Sequence, residues 1–284
     1  MNYIECSFKL IPYEPFNELL IAELSDNNFE SFLEEDPYLK AYIPISDFKT
    51  DFIKDIPLLN TKEFKDVEWS YKEIQEVNWN KKWESSFDAI EIGNFCTIRA
   101  PFHPSKSGFK FEIIIEPKMS FGTGHHATTQ LMLEEMEKLN FNGKTVLDMG
   151  SGTAILSILA EKLGAKLIHA IDIDKWAYEN MQENIERNNC SHIKSWIGGV
   201  ERLHEINTTY DYILANINKN VLTQQLKNYV HYLNTNGELL ISGFFEEDVV
   251  DLEKQLNTFY LKKLNIASKN KWSLIRSQKS ITKL

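Results

Sequence analysis

The sequence predicts an α/β protein, a doubly wound sheet domain preceded by a smaller α+β module. Lys144 to Asp174 reads as strand, glycine turn, helix, strand, the first unit of a doubly wound domain. From there toward the carboxyl end, short apolar runs alternate with helix-period segments. Residues 3–74 instead group four strand patterns around one or two short helical ones.

In the first unit, the apolar pair Val146-Leu147 ends at Asp148, Gly150 and Gly152 space a turn, and a helical pattern runs from Ile155 to Leu163. Gly164 stops it, and a second apolar run, Leu167 to Ile173, carries Asp172. Without a Cβ, Gly150 and Gly152 let backbone approach a ligand closely and take positive φ. Asp172 lies 22 residues after Gly150, where an acid can accept hydrogen bonds from both ribose hydroxyls. An ordinary βαβ crossover with a solvated acid explains the glycines alone, but not the acid at this distance. A dinucleotide fingerprint needs a third glycine where Ile155 stands, which counts against NAD. The acid-x-Gly-x-Gly arrangement from Asp148, with Ala154 as the next small residue, resembles the first motif of class I methyltransferases that use S-adenosylmethionine. In that family the loop packs on the methionine part of the cofactor.

At 284 residues, with 43% hydrophobic and 25% charged residues, the chain suits one large and one small globular domain. No apolar run reaches membrane-spanning length, and Met1 to Lys9 lacks the apolar core of a signal peptide, so no membrane partner is expected. Cys6, Cys96 and Cys190 are odd in number and widely spaced, as expected of free thiols in the cytoplasm. The net charge of −10 argues against direct nucleic-acid binding. It suits a lysine-rich partner, although solubility alone accounts for such a charge.

In order, Tyr3–Lys9 reads as a strand, and Pro15 to Leu24 as a helix with Phe16, Leu19, Leu20 and Leu24 on one face. Phe29 to Leu33 reads as a short strand, Glu34 to Asp36 as an acidic turn, and Tyr38 to Ile45 as a third strand. Phe52 to Leu58 is expected to be helical and Val67 to Ile74 a fourth strand, which together make a ferredoxin-like order. Trp79, Trp83 and Phe87 are four apart and would form one aromatic helix face, a connector between modules. The expected divisions are 1–75 for the first module, 76–94 for the connector and 95–284 for the second domain. Ile90 to Pro101 reads as strand.

Glu116 to Thr129 holds two glycines, two histidines and three threonines, a loop rich in donors with little to bury. A helix is expected over Gln130 to Leu139, with Thr128-Thr129 near its start as a cap or ligand contact. His125-His126 lacks further ligands nearby, so no metal is expected and the pair is read as shaping the loop. After Asp174, read as a helix cap, come a helix from Trp176 to Arg187 and a strand from Ile193 to Ile197. A strand over Tyr212–Ala215, a helix from Val221 to Leu233 and a strand over Leu239–Ser242 follow. Glu246 to Asp248 would favour the next helix's N-terminus, Tyr260–Ala267 and Trp272–Arg276 would form a closing antiparallel hairpin, and Ile281 to Leu284 a loose tail.

The segments F-G-T-G-H-H-A-T-T, K-T-V-L-D-M-G-S-G-T-A-I-L and I-D-I-D, then Leu214 to Ile217 and Gly237 to Gly243, together resemble the ribosomal protein L-11 methyltransferase family (PrmA) over residues 77 to 276. Ala127 and the lead-in Glu116-Pro117-Lys118 depart from the family's pattern. The resemblance implies a class I methyltransferase fold, a Rossmann-like seven-stranded doubly wound sheet with a ferredoxin-like first domain that recognises substrate. It implies an enzyme that moves methyl groups from S-adenosylmethionine to lysine and amino-terminal amines of ribosomal protein L-11, expected as a monomer. Cofactor contacts are implied for Thr129, Gly150, Asp172 and Asn216, and the loop residues Gly152, Thr123 and Gly124 join them as candidates. Asn216 is also the candidate catalytic residue, its neutral carbonyl orienting the amine, with no side-chain base in view. An enzyme acting on another protein or small-molecule amine, or a non-catalytic S-adenosylmethionine-binding protein, remains open.

Overall fold

The computed structural model describes residues 3–51, 56–64, 67–74, 88–118 and 120–280. The chain divides into two compact units, Met1–Ser86 and Phe87–Leu284. The aromatic connector residues Trp79, Trp83 and Phe87 and the tail after Ser280 lie outside the described residues.

The first unit contains β1 (Tyr3–Lys9), α1 (Phe16–Ser25), β2 (Ser31–Glu35), β3 (Tyr38–Pro44) and β4 (Glu68–Ile74). Its sheet runs β2-β3-β1-β4, antiparallel throughout, the strand order of a split βαβ fold. Alternate residues Ile4, Cys6 and Phe8 of β1 bury together with Leu39, Ala41 and Ile43 of β3. Leu20 and Leu24 of α1 close that core. Pro15 stands at the N-cap, one residue ahead of the first turn. β2 starts two residues later than its pattern suggests, because Phe29 is spent on the core before the strand begins. Glu34 and Glu35 consequently lie within β2, and the turn falls at Asp36-Pro37. Of the helix expected over Phe52 to Leu58, residues 52–55 lie outside the described set, and Leu58–Asn60 forms a single 3-10 turn.

The second unit opens on a small sheet of β5 (Ile90–Ile92), β6 (Cys96–Arg99) and β7 (Phe111–Ile114). The strand material expected from Ile90 to Pro101 forms β5 and β6, with Gly93, at φ +49°, turning the chain back between them. Next come α2 (Ala127–Met136), β8 (Thr145–Met149), α3 (Ile155–Lys162), β9 (Leu167–Asp172), α4 (Lys175–Arg187), β10 (Ile193–Ile197) and α5 (Arg202–Ile206). The remainder is β11 (Tyr210–Asn216), α6 (Lys219–Tyr232), β12 (Leu233–Phe245), α7 (Val249–Thr258), β13 (Leu261–Lys269) and β14 (Trp272–Lys279). The main sheet runs β10-β9-β8-β11-β12-β14-β13, parallel from β10 to β12. β14 is antiparallel to both of its neighbours. This is the seven-stranded, doubly wound sheet expected from the sequence.

Period-2 alternation sends neighbouring residues to two cores, one on each face. Val146, Ile168 and Leu214 pack against α2 and α3, while Leu147, Ile171 and Ile213 pack with Leu226 and Tyr229 of α6. The chain winds from β8 outward through β9 to β10, then returns to β11 on the other side of β8. That reversal leaves a crevice at the carboxyl ends of the strands.

Candidate functional site

A cleft of about 670 Å³ opens at the carboxyl ends of β8, β9 and β11. Gly150 and Gly152 line it, together with Asp172 and Ile173 at the end of β9 and Asn216 and Ile217 at the end of β11. Gly198 and Gly199, which follow β10, also line it, as do Phe121, His126 and Trp272.

Backbone geometry fixes the glycine turn. Gly150 has φ +67° and Gly152 φ +53°. A Cβ on Gly152 would stand 2.3 Å from the Phe121 carbonyl oxygen, and one on Gly150 2.3 Å from Ile217 Cγ2. The two glycine loops are bonded to each other. The Thr153 N–H donates to the Phe121 carbonyl at 3.0 Å, and the Thr153 hydroxyl to the Gly122 carbonyl at 2.6 Å.

Ala154, at φ +66°, opens α3 without a side-chain cap of its own. Asp148 supplies one from β8, its Oδ2 accepting the Ser157 N–H at 3.1 Å and the Ser157 hydroxyl at 2.7 Å. Burial pushes the Asp148 carboxyl up to about 7 against the pull of those two bonds, and the nearby Asp172 charge adds to the rise.

Asp172 accepts the Gly152 N–H at 2.8 Å through Oδ2 and the Asp174 N–H at 3.0 Å through Oδ1. These bonds aim the carboxylate at the cleft and leave it lone pairs to spare. Asp174 caps α4 as expected, Oδ1 accepting the Trp176 and Ala177 N–H groups at 2.7 and 3.0 Å.

Asn216 ends β11 opposite Ser242 of β12. Its Nδ2 donates to Thr129 Oγ1 at 3.4 Å, and its buried Oδ1 has no partner within the protein. His126, not a threonine, caps α2: Nδ1 accepts the Thr128 N–H at 3.3 Å and lies 2.8 Å from the Thr128 hydroxyl. The helix accordingly starts three residues earlier than expected, with Thr128 and Thr129 inside its first turn. His126 also meets Phe121 and Trp272 ring to ring, at 5.4 and 4.8 Å, and Trp272 lies against Phe245 at 4.1 Å.

Of the residues singled out in the sequence, Gly150, Gly152, Asp172 and Asn216 come together around the cleft. Thr129, Thr123 and Gly124 do not line it. Thr129 is fully buried behind Asn216. Thr123 Oγ1 lies 3.2 Å from His125 Nδ1, and Gly124, at φ +95°, sits over Ile90, Ile98 and Ile155. Sequence reasoning missed the Gly198-Gly199 pair, which a glycine doublet after a strand could have flagged, and Trp272, which no local pattern marks. Among the described residues no group of three His, Cys, Asp or Glu side chains is placed to hold a metal ion. Among the same residues no helix is long and apolar enough to cross a membrane.

The profile of the family described as "Ribosomal protein L11 methyltransferase (PrmA)" matches residues 17–280. A ribosomal protein L11 methyltransferase of Porphyromonas gingivalis is 41% identical over 97% of this chain and 97% of its own. One of Bacteroides fragilis is 36% identical over 97% of this chain and 99% of its own. The crystal structure of a ribosomal protein L11 methylase from Lactobacillus delbrueckii subsp. bulgaricus superposes with a TM-score of 0.62 at 25% identity, covering 68% of this chain and all of that one.

Proposed function

Because the chain belongs to the ribosomal protein L11 methyltransferase family, we propose that it methylates lysine and amino-terminal amines of ribosomal protein L11, with S-adenosylmethionine as donor. The observation that carries this reading is the meeting, on one cleft, of a braced carboxylate at Asp172 with the Asn216 side chain at the end of β11. The residues fit the donor. Asp172 would hold the ribose hydroxyls, as acids at the end of this strand do. Ile173, Ala177 and the Gly198-Gly199 pair, which line the cleft, would meet the adenine. Gly150 and Gly152, which have no room for a Cβ, leave backbone to meet the methionine part. When bound, S-adenosylmethionine supplies a methyl group already activated on a sulfonium.

The chain's own task is then orientation and desolvation. A lysine ammonium, with a free pKa of about 10.4, must lose its proton before its lone pair can attack. Phe121 and Trp272 bound the cleft with apolar surface, and desolvation there lowers the ammonium pKa. His126 is not placed as a base, because Nδ1 is committed to the cap and the neutral ring carries its proton on Nε2. The proton passes to water. Asn216 Oδ1 takes an amine N–H and steers the lone pair. The first module, near residues 1–75, is read as the recognition domain of a monomeric, cytoplasmic enzyme without a nucleic-acid ligand.

Labelled S-adenosylmethionine incubated with purified ribosomal proteins tests the reading. Label is expected in L11, and Asn216→Ala is expected to slow its incorporation at least about tenfold. Tight binding of S-adenosylhomocysteine with no label in L11 would point instead to another amine or to a non-catalytic binder.

A further inference from the structure

We infer that Gln225 reads the base of the methyl donor: the Tyr229 hydroxyl turns the Gln225 amide so that its NH₂ end meets a ring nitrogen of the adenine. The inference rests on the donor reading above and deepens it at the adenine end of the same cleft.

Val221, Gln224 and Gln225 of α6 line the cleft, and their spacing of three and four puts them on one side of the helix. α6 starts where β11 ends, and helical side chains lean toward the helix N-terminus, here toward the carboxyl edge of the sheet. Leu222, Leu226 and Tyr229 of the same helix sink into the core that Val200 and Leu203 also join. His204 of α5 meets Tyr232 of α6, its Nδ1 2.8 Å from the hydroxyl, so the two helices lie side by side. From that contact Gly199 stands five residues back along one run, and Gln225 seven back along the other, about 10 Å of helix. Both runs climb to the carboxyl edge, which brings Gln225 level with the Gly198-Gly199 pair on the cleft they share.

Tyr229 fixes which end of the amide is presented. It is 0% exposed, and burial pushes its phenol up, so the proton stays on the oxygen. The hydroxyl donates to Gln225 Oε1 and meets no other hydrogen-bond partner among the described residues. A flipped amide would turn NH₂ to that hydroxyl and leave its proton buried without an acceptor. Nε2 of Gln225 is then the free end. It makes no hydrogen bond among the described residues and is not one of the chain's buried orphan atoms. Gln225 therefore offers a donor to the cleft. Adenine answers a donor only through its ring nitrogens N1, N3 and N7, because its exocyclic amine donates in turn.

Full-length Gln225→Leu, Gln225→Glu and Tyr229→Phe proteins test this by calorimetry with four compounds. They are S-adenosylhomocysteine and its 1-deaza, 3-deaza and 7-deaza analogues, each with one ring nitrogen replaced by C–H. The uncharged sulfur of these compounds gives the Gln225→Glu carboxylate no sulfonium to attract. Gln225→Leu is expected to weaken binding of the parent compound about fivefold. Wild type should lose a similar factor on one of the deaza analogues, and Gln225→Leu should lose little more on that one. Gln225→Glu sets acceptor against acceptor and should bind the parent more weakly than Gln225→Leu does. Tyr229→Phe keeps the ring and frees the amide to turn. It should weaken the parent about two- to threefold and shrink the difference between the parent and that same analogue. A Gln225→Leu protein that binds the parent as wild type does would overturn the inference. So would equal weakening of all four compounds, the mark of a packing defect, or a Gln225→Glu protein that binds more tightly than Gln225→Leu. Wild-type protein that binds none of the four would sink the donor reading itself and the inference with it, an outcome distinct from tight binding without discrimination.

Discussion

Asp148 is a carboxyl group kept where its charge is least welcome. It is 1% exposed, and its folded pKa of about 7 stands above the 3.8 of an unperturbed Asp. Between those values the folded chain holds a proton that the unfolded chain has released. Stability is therefore full below about pH 4 and falls as pH rises toward 7, with a limiting slope of about 1.4 kcal/mol per pH unit for this group. Asp148→Asn removes the titration and keeps an amide oxygen for the two Ser157 bonds. Urea unfolding at several pH values should show the variant gaining on wild type by roughly 1–3 kcal/mol between pH 5 and 8. A stability difference that stays flat with pH would show that Asp148 is not the buried acid described. The sequence made Asp148 visible as the acid before the glycines, but its service to Ser157 was not legible. That bond spans nine positions and depends on Ala154 being unable to cap its own helix.

At the scale of elements, the strands were the legible part. β9, covered on both faces, reads as a near-continuous apolar run and falls where Leu167 to Ile173 place it, and β10, at the sheet edge, falls where Ile193 to Ile197 place it. The contacts between elements were hidden, and α4 shows why. Its buried face carries Asn180 and Asn184, and its C-cap is Asn188, all spaced by four, where hydropathy expects apolar side chains. They bury because each amide serves backbone that runs out of strand partners. Asn188 bonds both the N–H and the carbonyl of Ile114, at 2.9 and 2.7 Å. Asn184 accepts the Glu116 N–H at 2.8 Å and donates to the Thr153 carbonyl at 3.1 Å, tying the β7 exit to the glycine turn. The contact of His126 with Trp272 was hidden for the same reason, since only the assembled sheet brings position 272 beside position 126. Asn184→Ala would strand one buried donor and one buried acceptor. It should cost about 2–4 kcal/mol, a fall in Tm of about 5–15 °C, read by differential scanning calorimetry. S-adenosylhomocysteine should also bind more weakly, because Thr153 holds Phe121 and Gly122 at the cleft. A variant that melts like wild type would show that the two loops need no such tie.

For the whole molecule, the two units differ in charge as well as in fold. Each has its own core: Ile4, Phe8, Leu20 and Leu39 in the first, and the two faces of the seven-stranded sheet in the second. Residues 1–86 contain 18 Asp and Glu against 9 Lys, so they carry −9 of the chain's net charge of −10. The sequence read as a whole showed an acidic protein; only the division of the fold shows that the acidity belongs to the unit without the cleft. An acidic recognition module would draw a lysine-rich protein by long-range attraction, a rate effect that added salt screens within about 10 Å at 0.1 M. For the full chain, kcat/KM on L11 is expected to fall several-fold between about 0.05 and 0.3 M salt, with kcat nearly constant. A chain of residues 87–284 retains the cleft and both of its cores, so it should bind S-adenosylhomocysteine within about threefold of the full chain. Its kcat/KM on L11 should be at least about a hundredfold lower and nearly indifferent to salt. If that fragment methylates L11 as fast as the full chain, with the same response to salt, recognition resides in the sheet domain and the acidity of the first unit serves only its solubility.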